Sequence, residues 1–371
     1  MHDVDMEQFW KDDEIAHRDN CFGGEAPQVA LGIRMSDECV FAELGVQGNP
    51  WLHLPRKQKI ELNKRYNDKA EIIVGKRLLD ETFPEDDERF PYIRRIGEVF
   101  EGTYEINENS EWLEGSCGTP SELEALLNRV DKLDLREFML PANWESEKVR
   151  IFEKHGKRPG LLRHIRGPVT LATSIYGVEN LIFLILDEPD LAKHFGSVIA
   201  DVICRMSSIM DEEAGYRPGE APGGFSFADD NCYLLNQEMY ELFGYPILKK
   251  VFEQFSPNSG DKRFQHSDSS MSHLLPILGR LNLTGCNFGP TVLVDEIRKY
   301  MPTTRIDGCL APFTFMNNNE EDITKEVKRD CDMAKGCRGL NLSTAGSINN
   351  GSLLTSMRAV MYAIQTYGRY I

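Results

Sequence analysis

The sequence predicts an α/β fold, and within that class a (β/α)8 barrel of the TIM type with an N-terminal helical and irregular extension. After about residue 155, short apolar segments alternate repeatedly with amphipathic helical segments across short connections, as parallel strands linked by helices do. A closed barrel suits the 371-residue length better than an open doubly wound sheet, because no G-x-G-x-x-G or Walker segment follows a predicted strand.

The N-terminal part is predicted to precede the barrel as an arm and a helix. Residues 1–55 mix glycine, proline and single apolar residues without a period, so we expect them to pack on a larger body. Arg56–Leu79 has helical spacing and no proline, and the acidic segment Phe83–Arg89 ends that helix at Pro84. Gly97–Ile106 partly alternates and is rich in strand-forming residues, which predicts a strand.

The barrel elements then follow one another along the chain. Thr119 is placed to cap a helix, with Pro120 at its first position and Glu122 completing a capping box. Strands are predicted at the end of Leu161–Thr173 and at Gly224–Asp230, Arg263–His266, Leu283–Phe288, Thr304–Cys309 and Leu340–Ser343. Helices are predicted at Glu188–Met210, Asn236–Phe255, Met271–Leu281, Val292–Tyr300, Asp322–Ala334 and Leu353–Tyr367. We therefore expect residues 96–371 to form the barrel and residues 1–95 to form the extension.

The composition narrows the class of protein. Lys and Arg number 42 and Asp and Glu number 59, so the net charge is −17, which argues against a nucleic-acid binder. No apolar run approaches the ~20 residues that a bilayer requires, and the first residues lack the features of a signal peptide. The nine cysteines are an odd number without C-x-x-C spacing, which indicates reduced thiols. We expect a cytoplasmic enzyme that binds neither nucleic acid nor membrane.

Polar residues follow the predicted strands, where the catalytic groups of a TIM barrel lie. A single polar residue at a strand end is often only a cap or a turn residue, but groups from several strand ends converge on one pocket. They are Asp229-Asp230-Asn231, His266 to Ser270, Asn287, Asp307-Gly308-Cys309 and Ser343-Thr344.

Three of these residues suggest a metal site. His266 and Asp268 are two residues apart in an extended segment and point the same way, and Cys309 can add a thiolate from another strand. Three protein ligands with an open fourth position are typical of catalytic zinc. The alternative is that His266 only donates a hydrogen bond and Asp268 caps the next helix.

Carboxylates and rings supply the remaining candidates. Asp229 beside Asp230 would raise one pKa towards neutrality, unless both carboxylates cap the following loop and face water. Aromatic residues near the strand ends can wall a pocket for a flat ring or simply fill the core. These residues are Phe225, Phe227, Tyr233, Phe288, Phe313 and Phe315.

Several segments resemble the uroporphyrinogen decarboxylase superfamily over about residues 95–371. They are Arg166-Gly-Pro-Val-Thr-Leu-Ala172 with Tyr176-Gly177, Phe227-Ala-Asp-Asp230 with Glu241-Leu-Phe-Gly-Tyr-Pro246, His266-Ser-Asp268, and Gln365-Thr-Tyr-Gly-Arg-Tyr370. The resemblance implies a (β/α)8 barrel, in agreement with the reading of the elements.

The resemblance implies one of two functional branches. Decarboxylases carry an arginine-rich N-terminal loop for the substrate carboxylates, whereas the nearest segment here, Ala30 to Met35, has one arginine. Zinc-bearing methyltransferases of the corrinoid-dependent branch use His-x-Cys and a second cysteine in the last barrel loop. In this chain Asp268 replaces the first cysteine, and Ser343 to Gly351 has none.

A carboxylate in place of a thiolate makes a harder site, which favours an ether oxygen over a thiol. The resemblance therefore implies a methyltransferase that passes methyl from a methoxylated aromatic to the cob(I)alamin of a partner corrinoid protein, the first step of O-demethylation. We expect zinc in this chain, cobalamin on the partner, and possibly a homodimer. The expected catalytic residues are Asp230, His266 and Asp268, the substrate contacts are Phe227, Asp229, Asn287, Phe288 and Phe313, and the zinc ligands are His266, Asp268 and Cys309.

Three alternatives remain open at this stage. The chain can be a methylcobamide:thiol (coenzyme M) or folate methyltransferase, although the missing cysteines weigh against it. It can be a uroporphyrinogen-type decarboxylase, against which the missing arginines and the acidic net charge weigh. It can also be a non-catalytic barrel used as a binding or regulatory subunit, which the polar strand ends disfavour only mildly.

Overall fold

The fold is that of a computed structural model, which describes residues 3–107, 110–346 and 348–370. The helices are α1 (Met6–Ala16), α2 (Asp37–Leu44), α3 (Arg56–Val74), α4 (Ile96–Val99), α5 (Pro120–Asp131), α6 (Leu135–Met139), α7 (Trp144–His155), α8 (Pro168–Tyr176), α9 (Val178–Asp187), α10 (Pro189–Glu213), α11 (Gln237–Leu242), α12 (Gly244–Phe255), α13 (Leu275–Leu278), α14 (Val294–Tyr300), α15 (Pro312–Met316), α16 (Glu320–Ala334) and α17 (Leu354–Tyr367). The strands are β1 (Ala30–Leu31), β2 (Thr103–Asn107), β3 (Ser110–Glu114), β4 (His164–Arg166), β5 (Phe225–Ala228), β6 (Arg263–His266), β7 (Gly285–Asn287), β8 (Arg305–Leu310) and β9 (Leu340–Thr344).

Seven strands form one sheet in the order β1-β9-β8-β7-β6-β5-β4, and β2 and β3 form a separate antiparallel pair. The described pairings β1–β9, β4–β5, β7–β8 and β8–β9 are all parallel. From β4 to β9 the order in the sheet follows the order in the chain, with helices between the strands, as in a TIM barrel. Among the described residues no ladder joins β4 to β1, so the sheet has two edges. The predicted α/β fold of the TIM-barrel type is confirmed.

The described residues divide into two compact units. The first unit comprises those of Met1–Phe83, His266–Leu275 and Asn282–Ile371, and the second comprises those of Pro84–Gln265 and Pro276–Leu281. The boundary that we place at residue 95 stays a prediction.

In the first unit, the N-terminal arm contributes a strand to the sheet. Ala30 pairs with Asn341 and Leu31 with Leu342 of β9, and the Leu31 N–H donates to Asp13 Oδ1 of α1 at 2.7 Å. Because two paired residues give no visible alternation in sequence, the prediction of an irregular arm missed this strand.

In the second unit, two predicted strands are corrected. Within Gly97–Ile106 the structure has α4 first and β2 only from Thr103, because the Glu98 carboxylate accepts from the Arg95 N–H and stabilises a short helical turn. Within Leu161–Thr173 the strand is the earlier segment β4, and the segment predicted as strand is helix α8. Gly167 precedes that helix and Pro168 occupies its first turn, where the missing N–H of proline costs nothing.

Helical segments are also shorter than the pattern predicts. Asn236–Phe255 is two helices that meet at Phe243, three residues before Pro246. Met271–Leu281 is a 3₁₀ turn followed by the short α13, and Pro276 lies near that start. Proline at these positions removes the N–H that a continuous helix would need.

Among the described residues no single helix has the length and apolar composition needed to cross a bilayer. The pair α8 and α9, bent by 103°, meets that criterion on length and composition only.

Candidate active site

Strands β4 and β5 of the second unit place two sets of side chains on opposite faces. His164 lies opposite Ser226 and Arg166 opposite Ala228, so these four side chains share one face. On the other face, the Phe227 ring lies 5.4 Å from the ring of Phe252 of α12. The sheet therefore directs a histidine and an arginine away from the packed helix layer.

The face that carries His164 and Arg166 opens into a cleft of about 450 Å³ within the second unit. Ala228, Asp230 and Thr170 also line this cleft from β5, the loop after it and α8. Because Arg166 is the last residue of β4 and Asp230 follows the end of β5, the charged groups lie at carboxyl ends of strands, where TIM barrels bind substrates.

The segment before the barrel strands supplies the opposite wall of the cleft. Arg95 donates to both carboxylate oxygens of Glu111 at 2.6 and 3.0 Å, and its guanidinium carbon lies 3.4 Å from the centroid of the Tyr104 ring. Arg94 lies over the ring of Phe138 at 4.3 Å. The wall thus offers one aromatic ring together with arginines that already have partners.

Asp229 is fully buried and binds the first turn of α8. The Thr170 N–H donates to Asp229 Oδ1 at 2.8 Å, and the other carboxylate oxygen has no hydrogen-bond partner among the described residues. Burial raises the pKa of Asp229 to about 7, which the hydrogen bonds from Thr170 oppose. A Cβ at Gly167 would lie 2.1 Å from the Asp229 Cβ, so only glycine permits this close approach.

Further hydrogen bonds hold the loop that carries Asp230. The Asn231 N–H donates to Thr170 Oγ1 at 3.0 Å, and its side-chain amide donates to Thr173 Oγ1 at 2.7 Å. Together with the bond to Asp229, they fix the loop after β5 on the start of α8. Asp230 is therefore presented by a rigid support.

Two of the predicted metal ligands lie in the first unit, and Asp230 lies in the second. His266 is the last residue of β6, and Asp268 follows it by two residues. An imidazole nitrogen and a carboxylate oxygen are donors that catalytic zinc accepts. A Cβ at Gly346 would lie 2.0 Å from Asp268 Oδ2, so the last loop backbone packs directly on this carboxylate.

The comparisons with known proteins now decide the family. Residues 120–367 match the family model "Uroporphyrinogen decarboxylase (URO-D)". The chain belongs to the uroporphyrinogen decarboxylase family. The fold is similar to that of a methyltransferase from Methanosarcina mazei, with a TM-score of 0.58 and 15% identity over 94% of this chain and 96% of that one. No curated protein matches the sequence.

Cys309, the third predicted zinc ligand of this uroporphyrinogen decarboxylase family protein, is fully buried in β8, and burial raises the pKa of its thiol. Its charged neighbours Asp330, Arg329 and Arg298 lie on α16 and α14. This environment stabilises a neutral thiol, whereas a zinc ligand is a thiolate. The role of Cys309 as a ligand stays a prediction.

The predicted aromatic contacts have different surroundings. Phe227 and Phe288 are fully buried, whereas Phe313 on α15 is 67% exposed. Asn287 is buried in the first unit, where its amide donates to the Asp307 carbonyl at 2.8 Å and its own Oδ1 has no partner among the described residues. The burial of Phe227 against α12 is typical of a core residue, and Asp229 supports α8 rather than lining the cleft.

The residues that the sequence did not single out are His164, Arg166 and Thr170 of the barrel and Arg95 and Tyr104 before it. Arg166 begins one of the segments that resemble the uroporphyrinogen decarboxylase family, directly before Gly167 and Pro168. Ending the strand at Gly-Pro would have placed Arg166 at a carboxyl end and marked it as a candidate. Tyr104 and Arg95 carry no comparable signal, because only the tertiary fold brings them to this cleft.

Proposed function

We propose that this protein is a methyltransferase that takes methyl from a methoxylated aromatic and passes it to the cob(I)alamin of a partner corrinoid protein. The observation that carries the proposal is His266-Ser-Asp268 at the end of β6, which combines an imidazole with a carboxylate in place of a thiolate. Oxygen-rich ligand sets make a bound cation a harder Lewis acid, which suits an ether oxygen better than a thiol.

Membership of the uroporphyrinogen decarboxylase family and the fold shared with the Methanosarcina mazei methyltransferase support this choice. The decarboxylase alternative would need several cations for a substrate with many carboxylates. The segment from Ala30 to Met35 has a single arginine, and its first two residues are strand β1.

His266 and Asp268 would hold zinc, and Asp230 would serve as a catalytic carboxylate at the wall of the cleft. A bound cation would stabilise negative charge on the aryl oxygen, whose poor leaving ability is the main barrier. The methyl–oxygen bond breaks with its electron pair left on oxygen. The new bond to the methyl carbon uses an electron pair of the partner's cob(I)alamin, and the aryl oxygen then takes up a proton.

The side chains of the cleft would position the donor. Tyr104 offers a ring face to the methoxylated ring, and Thr170 fixes the loop of Asp230 through its hydrogen bond to Asn231. Orienting the methyl carbon for in-line attack lowers the entropic part of the barrier.

The test is a methyl-transfer assay with a reduced corrinoid protein and a panel of methoxyarenes, methylamines and methanol. We expect methyl-cobalt absorbance with at least one methoxyarene and with none of the other donors. A signal with methylamines or methanol alone would overturn the proposal.

Metal content tests the zinc site separately. His266→Ala should lose bound zinc, whereas Cys309→Ala, the matched control from the same set of predicted ligands, should keep it. Unchanged zinc in His266→Ala would remove this residue from the site, and loss in Cys309→Ala would restore the cysteine to it. The cytoplasmic location and the homodimer stay predictions.

A further inference from the structure

Arg166 differs from the other arginines of the cleft in its hydrogen bonding. Its side chain is half-buried, and its Nε is buried without a hydrogen-bond partner among the described residues. Arg95 is bound by Glu111 on both oxygens, and Arg94 is stacked on Phe138. An anionic ligand can supply the acceptor that this buried donor lacks.

The net charge of the residues that line the cleft indicates the charge of the ligand that it would bind. Three arginines, Arg94, Arg95 and Arg166, face two carboxylates, Glu111 and Asp230, which leaves 3 − 2 = +1 before any bound cation is counted. A monoanion neutralises this excess, whereas a dianion such as a phosphate monoester exceeds it. The planar fork of a guanidinium also matches a carboxylate through two parallel hydrogen bonds.

An aromatic wall lies beside Arg166. Burial raises the pKa of the Tyr104 hydroxyl, and the Gly97 N–H together with the charges of Arg95 and Arg166 opposes that rise, so Arg166 lies within electrostatic reach of the ring. A ligand with its anion on Arg166 therefore has an aromatic surface next to it. The cleft volume of about 450 Å³ accommodates one substituted ring.

We propose that Arg166 binds a carboxylate carried on the ring of the methyl donor, so that the preferred substrates are methoxylated aromatic acids rather than neutral methoxyarenes. The inference rests on the proposed function for its methyl donor, but the carboxylate site does not depend on methyl transfer. Arg166 fixes one end of the ring, and Asp230 lines the same cleft.

The test measures binding by calorimetry on the full chain, with 3,4-dimethoxybenzoate and the neutral 3,4-dimethoxybenzamide as matched probes. The wild type should bind the benzoate at least tenfold more tightly. Arg166→Gln should weaken benzoate binding by about 10–100-fold, the range for a lost charged hydrogen-bond pair, and leave benzamide binding within about twofold. Arg166→Lys should fall between them, because it keeps the charge but not the planar fork.

Arg205→Gln is the control, since Arg205 is exposed on α10 and lies outside the cleft. Equal weakening of both probes in Arg166→Gln, or no weakening of the benzoate, would overturn the inference. So would tighter binding of phenyl phosphate than of the benzoate to the wild type. Thermal unfolding of each variant shows whether it is folded. If Arg166→Gln is not folded, Arg166→Lys provides the test.

The two proposals fail in distinguishable ways. Arg166-dependent binding of the benzoate without methyl-cobalt formation would leave the carboxylate site standing and remove the proposed function. Methyl transfer from methoxylated aromatic acids that is insensitive to Arg166→Gln would keep the proposed function and remove the carboxylate site.

Discussion

Two arginines on sheet strands have opposite surroundings. Arg305 begins β8 in the first unit and donates to both carboxylate oxygens of Asp307 at 2.8 Å, while Asn20 accepts from the same guanidinium at 2.9 Å. Arg166 ends β4 in the second unit and has no ion pair among the described residues. The two residues have the same chemistry and differ in which end of a strand they occupy.

The difference separates structural charges from functional ones. At the amino end of β8, Asp307 also accepts from the Asn341 amide at 2.8 Å, so that each charge there is compensated within the first unit. At the carboxyl end of β4, the Arg166 Nε has no hydrogen-bond partner among the described residues, and such groups are typical of active sites. The predictions below test whether this division is real.

The largest effect is expected on activity at a carboxyl end. Asp230→Asn should lower the rate of methyl transfer on the order of 10²–10³-fold, because the cleft loses the predicted catalytic carboxylate. Asp307→Asn should leave the rate per folded molecule within about threefold, since Asp307 lies away from the chemistry. Single-turnover formation of methyl-cobalt measures both, and equal losses would erase the distinction.

The second effect is on stability at the amino end. Asp307→Ala should lower the free energy of unfolding by about 2–3 kcal/mol, because it leaves a largely buried guanidinium unpaired, with 30% of the Arg305 side chain exposed. Arg166→Gln should change it by less than about 0.5 kcal/mol, because no ion pair is broken. Urea unfolding compares the two, and a larger loss in Arg166→Gln would reverse our assignment.

The third effect is on the metal. Gly346→Ala should weaken metal binding by about 10-fold or more, because its Cβ would displace the Asp268 carboxylate. Gly45→Ala is the matched control, since Gly45 also has a positive φ, 63° against 87°, but open space around it. Both variants should lose about 1 kcal/mol of stability from backbone strain. Equal metal affinity in both would show that the loop does not position Asp268.

The smallest effect is expected at Asp229, which is an exception among the charged residues at carboxyl ends. It is buried, and its carboxylate accepts a hydrogen bond from the Thr170 N–H. Asp229→Ala should destabilise the protein by about 1–2 kcal/mol, since the Thr170 N–H loses its acceptor. Asp229→Asn keeps an acceptor oxygen and should stay within about 0.5 kcal/mol of wild type. Unfolding in urea at pH 6 measures both, and an Asn variant as unstable as the Ala variant would mean that the amide does not replace the carboxyl as acceptor for the Thr170 N–H.

Part of the candidate site is predictable from local pattern. The alternation of strands and helices and the polar residues after β5 and β6 mark Asp230, His266 and Asp268 as candidates, and the structure places Asp230 at the wall of the cleft. Arg166 escaped detection because Gly-Pro after it reads as the middle of an apolar run. The surroundings of Cys309 escaped detection because a residue's position at a strand end does not reveal which face its side chain takes, and its neighbours are on α14 and α16.

By itself, the sequence determined the α/β class, the strand order from β4 to β9 and the kinship with the uroporphyrinogen decarboxylase family, since hydrophobic period and turn residues act over short distances along the chain. Only the tertiary structure decided that β1 joins β9, that Cys309 is buried beside charged residues of α14 and α16, and that Arg166 and Tyr104 line one cleft. These facts depend on contacts between residues far apart in the chain. Local propensity carries no information about which distant residues come into contact.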